Sequence, residues 1–249
     1  MIKLSSIRGE EVNNKNKSYL RDYIIKGKKE KLRRKSVEAI IQENFKISEE
    51  EGVTLRAVIS PADYPYDEQL DFNPFEFKNF FNQLINRIYS FNKENQSAFF
   101  FDPQGSIIDY SAFLIPIHPD KWMSERKSDR FNNIMIKQDG VILFITSQNV
   151  LIDNKVILDL KHLSRHLEIL FTQIIPEIYE KMNYEDRLNI DIDCFGLSDS
   201  YLQIGEYPEN VKLPRDTSSI FSQSYILNLQ NPIKISDIII LDIRRLFEF

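Results

Sequence analysis

Glycine, cysteine and long apolar runs are all scarce in this chain of 249 residues, and each shortage removes a class of protein. Seven glycines leave little material for glycine-rich phosphate loops, repeated tight turns or flexible linkers. No G-x-x-x-x-G-K-[ST] loop occurs, nor any G-x-S-x-G elbow. P-loop nucleotide hydrolysis and nucleophile-elbow acyl transfer therefore have no motif to stand on. The single cysteine, Cys194, rules out an intramolecular disulfide and a cysteine-based zinc cluster, and it suits a reducing cytosol. No stretch approaches the roughly 18 apolar residues of a membrane helix. Residues 1–17 lack the hydrophobic core of a secretory signal. The expectation is a soluble cytoplasmic protein with no membrane partner.

What the chain does have is aromatic bulk and an uneven charge. Eighteen Phe and eleven Tyr, within a hydrophobic content of 42%, supply enough buriable surface for a core. Residues 1–45 carry twelve Lys/Arg against six Asp/Glu, whereas the remainder carries twenty against thirty-one. The excess concentrates at Lys26, Lys28, Lys29, Lys31, Arg33, Arg34 and Lys35. Such a front reads as an electrostatic address for a polyanion or for the acidic face of a partner. If residues 28–35 are helical, charge surrounds the helix on nearly all sides, so it faces solvent or a partner rather than a core. Only Tyr19 and Tyr23 stand close by, too few aromatics for single-strand stacking. Three glutamates and Gly52 in the segment 46–52 mark the boundary, giving a basic arm at 1–48 and a main body at 49–249.

Within that body, residues 53–59 alternate as a strand that Ser60 and Pro61 end. Asn73, Pro74 and Glu76 compose a capping-box start for a helix presenting Phe77, Phe80, Phe81, Leu84, Ile85, Ile88 and Phe91. Residues 97–101 and 106–116 read as strands joined by the turn Asp102-Pro103-Gln104-Gly105. An Asp139-Gly140 hairpin joins 133–137 to 141–145. Asp159 caps a further helix with Leu163, Leu167, Leu170, Phe171, Ile174 and Ile178 on one stripe, and Pro176 predicts a kink. Leu188, Ile190, Ile192 and Cys194 alternate with polar residues along a half-exposed strand. Strands near 201–204 and 222–229 follow, and Ser236 is the expected cap of a last helix. This order predicts an α+β fold: mostly antiparallel sheet built from hairpins, amphipathic helices on one face, and a basic helical arm in front.

Three constellations resemble metal chemistry. Asp191 and Asp193 form a D-x-D on one strand face, about 6.5–7 Å apart, and with Asp199 form the alternative reading of a metal-dependent nuclease. The plain reading is the solvent side of an alternating strand. His162 and His166 stand four apart on a helix, yet Leu163 occupies the position where a zincin needs glutamate. His118 is isolated. Asp120 followed by Glu125 and Lys127 mimics a restriction-nuclease signature, with too few residues between them for two strands and a turn. No cofactor is expected.

Tyr23-Ile24-Ile25-Lys26-Gly27 and Ser36-Val37-Glu38 resemble the passage leaving the divergent Alb-like DNA-binding domain in prokaryotic Schlafen-type proteins, with Ile25 where that family has arginine. The Asp139-Gly140 hairpin, the helix over 160–180, Tyr184 before a strand ending Phe195-Gly196-Leu197, and Leu213-Pro214 are similar to the family's C-terminal module. Most of the Alb-like body has no counterpart here. The resemblance implies an accessory module in nucleic-acid or antiviral defence assemblies, and it implies no catalytic residue. Together with the arm it predicts a non-enzymatic subunit contacting a protein partner or nucleic acid.

Overall fold

The computed structural model describes residues 28, 53–63, 73–91, 107–109, 112–115, 131–137, 139–152, 155–197, 200–203, 208–212, 221–230 and 234–247. The chain divides into two compact units, Met1–Lys46 with Asp63–Asp67, and Ile47–Ala62 with Glu68–Phe249. Every element named below belongs to the second, which is α+β.

In chain order the elements are β1 (Thr54–Pro61), α1 (Pro74–Phe91), β2 (Ile107–Asp109), β3 (Ala112–Ile115), β4 (Phe131–Lys137), β5 (Ile142–Ser147), β6 (Asn149–Ile152), β7 (Lys155–Asp159) and α2 (Leu160–Ile169). A π-helical segment, Leu170–Ile174, leads into α3 (Ile175–Lys181), followed by β8 (Arg187–Phe195), β9 (Tyr201–Gln203), β10 (Pro208–Lys212), β11 (Phe221–Asn228) and α4 (Ile235–Arg245). Seven strands form one sheet in the order β11-β8-β1-β5-β4-β3-β2, with all neighbours antiparallel. A second sheet runs β10-β9-β7-β6, and its β7–β9 pair is parallel.

Register decides the core. Leu55, Ala57 and Ile59 of β1 lie opposite Cys194, Ile192 and Ile190 of β8. On the other side Ala57 and Ile59 face Phe144 and Ile142 of β5. All of these are buried. The helices cover this face. His166 of α2 meets Asn132, Tyr179 of α3 donates to the Gly140 carbonyl at 2.6 Å, and Tyr225 of β11 donates to Asp242 of α4 at 2.9 Å. An Arg87–Glu177 pair at 2.6 Å links α1 to α3. It is half-exposed and contributes little energy; burial of Phe77, Phe81, Leu84, Ile85 and Ile88 seats α1, at about 1.5–3 kcal/mol each.

Local chemistry explains the boundaries. The Asp139-Gly140 turn forms as expected: Gly140 takes φ 80, and the Asp139 carboxylate accepts from the Val141 N–H at 3.2 Å. Asn73 begins α1, its carbonyl accepting from Phe77. Asp159 caps α2, its side chain accepting from the His162 N–H at 3.0 Å. Asn183, at φ 55, ends α3, and the Tyr184 N–H reaches back to the Tyr179 carbonyl in a Schellman closure.

Several expectations need correction. In front of Pro176 the helix carries a π-helical segment, a looser ladder that accommodates the proline's missing N–H. The run expected at 106–116 holds two strands, β2 and β3, paired antiparallel with Asp109 opposite Ala112; residues 97–101 lie outside the described residues. Ser236 is buried inside α4, whose first cap is Lys234 without a side-chain bond. The hairpin β6–β7 and strand β10 go beyond the expectation: Val150-Leu151-Ile152 and Val156-Ile157-Leu158 are apolar runs too short to stand out, and Pro208-Glu209-Asn210 looks like loop.

Two measurements test the packing. Tyr179→Phe removes the bond to a buried carbonyl and should cost about 1–3 kcal/mol in urea unfolding without changing the circular dichroism spectrum. A loss below the error of that measurement would show the bond to be dispensable. Burial, followed by the charge of Asp193, pushes the Cys194 thiol from its ordinary 9.0 up to about 12. Burial likewise raises Tyr179 and Tyr225. These groups hold their protons more tightly folded than unfolded. Stability should therefore be intact below pH 9 and fall progressively toward pH 12, with Cys194 unreactive toward thiol reagents until unfolding.

Candidate functional site

β8 is the strand on which the acidic residues converge with a base. It lies between β1 and β11, so three strands contribute to each row of its outer face. One row is Arg56, Asp193 and Ser222; the next is Val58, Asp191 and Ser224. Arg56 donates from Nε to Asp193 Oδ2 at 3.1 Å, and its Nη2 closes a second bond to the same oxygen. Ser222 donates to Asp193 Oδ1 at 2.7 Å, and Ser224 donates to Asp191 Oδ1 at 2.7 Å. The Arg56 guanidinium also lies 4.8 Å over the Phe195 ring. The ion pair is largely shielded, its side chains 13% and 18% exposed.

Both oxygens of Asp193 are therefore held by neighbouring strands. Asp191 and Asp193 do share a face, as the alternation requires, and they are half-buried rather than open to solvent. A divalent ion there would have to displace Arg56 and Ser222 from Asp193. Asp199, the third acid of that reading, lies outside the described residues, as do His118, Asp120, Glu125 and Lys127.

The two histidines take separate roles. His162, in the first turn of α2, sets Nδ1 2.7 Å from Asp159 Oδ2. His166, one turn on, is 3% exposed and its Nδ1 lies 3.2 Å from Asn132 Oδ1. Thr146 donates to that same oxygen at 2.7 Å, and Gln148 Nε2 reaches Thr146 Oγ1 at 2.9 Å. Asn149 adds bonds to the Val53 carbonyl at 3.0 Å and to Ser147 Oγ at 2.7 Å. This buried network ties β4, β5, β6 and α2 together. Thr146, Ser147, Gln148 and Asn149 read as turn residues in sequence, and only their burial distinguishes them. Among the described residues no group of three or more His, Cys, Asp or Glu side chains is arranged to hold a metal ion.

Among the described residues two small clefts stand out. One cleft of about 210 Å³ lies between the start of α1 and the end of α3, lined by Asn73, Glu76, Phe77, Glu180, Lys181 and Asn183. Another of about 240 Å³ is lined by Glu180, Tyr184, Glu185 and Gln230 among others. Both lie below the roughly 300 Å³ at which small-molecule pockets begin. Of the basic arm, Lys28 alone is described, as an exposed helical residue; Lys26, Lys29, Lys31, Arg33, Arg34 and Lys35 lie outside the described residues. No described helix is long and apolar enough to cross a membrane. Compared with protein families, curated proteins and solved structures, the chain matches none.

The Arg56–Asp193 pair can be measured directly. Arg56→Met or Asp193→Asn alone should cost about 2 kcal/mol, because each leaves a shielded polar partner unpaired. The double variant should recover part of that loss. Additive losses in the double-mutant cycle would show that the pair is not coupled.

Proposed function

We propose that this protein is a non-catalytic interaction module, a subunit of a cytoplasmic nucleic-acid-processing or antiviral defence assembly, that contacts a protein partner or nucleic acid through its basic arm. The observation that carries the reading is the charge division: twelve basic against six acidic side chains in residues 1–45, ahead of a body with the opposite balance. A body carrying thirty-one acidic and twenty basic side chains repels a polyanion, so attraction has to come from the arm. The described side chains with chemical potential serve the fold. Asp193 pairs with Arg56, Asp191 with Ser224, and His166 with Asn132. The resemblance to Schlafen-type C-terminal modules supports the same class of role, and the hairpin, helix and strand on which its downstream part rests are all present.

The alternative is a metal-dependent nuclease using Asp191 and Asp193, and it requires Asp193 to leave both Arg56 and Ser222. Incubation of nucleic acids with Mg²⁺ or Mn²⁺ tests it. Cleavage that disappears in Asp191→Ala and Asp193→Ala would favour the nuclease.

Replacement of Lys28, Lys29, Lys31, Arg33, Arg34 and Lys35 by glutamine should abolish retention on the partner or on nucleic acid. The wild-type interaction should weaken steeply as salt rises from about 50 to 200 mM. Unchanged retention in the glutamine variant would remove the arm from the mechanism.

A further inference from the structure

Four strand edges are left open by the two described sheets, and three of them are blunted. β2 is three residues long and ends on Asp109, β6 has four residues, and β10 carries Pro208, Glu209 and Lys212. Short strands, proline and charge are the ordinary protections against edge-to-edge pairing. β11 has none of them. It runs eight residues, Phe-Ser-Gln-Ser-Tyr-Ile-Leu-Asn, without a charge or a proline, in a chain that is 28% charged. β8 pairs with one side of it, and among the described residues no strand pairs with the other.

Exposed apolar side chains stand near the same strand, one on one face of the sheet and two on the helix over the other. Among the described residues the large hydrophobic side chains left exposed are Ile226 of β11, at 66%, and Ile238 and Leu241 of α4, at 43% and 46%. At about 100° per residue, Ile238 and Leu241 stand roughly 40° and 100° round α4 from Asp242, on the side away from the buried Ile235, Ile239 and Ile243. Asp242 faces Tyr225 of β11. α4 is thus tied to the edge strand on one face, and Ile226 lies on the opposite face of that strand.

We propose that β11 pairs with β11 of a second copy of this chain, joining two seven-stranded sheets into one about a two-fold axis near Ser224 and Tyr225. The occupant follows from symmetry. A two-fold axis perpendicular to the sheet makes the edges antiparallel and keeps each face on its own side, so the strand meets itself. Any charge near the axis would then oppose its own copy, and β11 carries none. Pairing supplies about six to eight backbone hydrogen bonds and brings Ile226, Ile238 and Leu241 of each copy toward the partner's. The outer row of serines, already bonded to Asp191 and Asp193 within each copy, stays clear of charge repulsion.

Sedimentation equilibrium of the full chain over a concentration series should give twice the 29.5 kDa monomer mass. Ile226→Lys places two like charges on one face, one or two residues either side of the axis, and should raise the dissociation constant about a hundredfold, and Leu241→Glu should act in the same direction. Both positions are exposed, so the circular dichroism spectrum should not change. Independently, Ser224→Cys should be captured as a covalent dimer by a short thiol-to-thiol cross-linker, because Cys194 is buried. A monomer at every soluble concentration would overturn the proposal. So would dimers that survive Ile226→Lys, or a Ser224→Cys variant that fails to cross-link.

Discussion

β1 is paired over its whole length with β8 and from Thr54 to Ile59 with β5, and the rest of the fold depends on that double register. Side chains of a strand alternate with a period of two. A slip of one residue would drive Arg56 toward the helices and carry Leu55, Ala57 and Ile59 to the opposite face. Arg56 opposes such a slip by meeting Asp193 across one edge of β1, while Phe195 lies under its guanidinium. The ion pair thus acts on register as much as on stability. That explains a charged residue near the middle of a strand whose other residues are buried.

The helices rest on the surface that this register creates. α2, the π-helical segment and α3 follow one another without a break, with the buried network at His166 near one end and the Tyr179 bond to Gly140 near the other. Both ties reach the β4–β5 hairpin, which makes that hairpin the common anchor of sheet and helix layer. α4 comes last and covers the sheet at β11, leaving its outer flank to solvent beside the open edge. The same packing that completes the core therefore exposes the one long edge without charge.

The two proposed contacts differ in kind. The arm offers charge, which is long in range, salt-sensitive and tolerant of the partner's shape. The β11 edge offers directional backbone bonds and a few apolar side chains, which demand a partner of matching geometry. Two copies joined at β11 would carry two arms. Such an assembly gains in avidity on any ligand long enough to meet both.

Much of this architecture was legible in the sequence. Asn73, Asp139-Gly140 and Asp159 act through bonds to neighbours within a few residues, so their roles as cap, turn and cap are local properties. The alternation along 188–194 and the stripe through Leu163, Leu167 and Ile174 are equally local, since each reports one face of one element. The charge division is a property of composition alone. Tertiary structure decided the rest, because the deciding partners are far apart in the chain. Nothing near Asp193 announces Arg56, which is 137 residues away. Thr146, Ser147, Gln148 and Asn149 are polar enough to read as a turn until strands and α2 close around them. β11 resembles any half-exposed strand, and only the order of strands makes it an edge. Short-range chemistry dictates where elements begin and end; the pairing of distant strands dictates which of their side chains remain available to anything else.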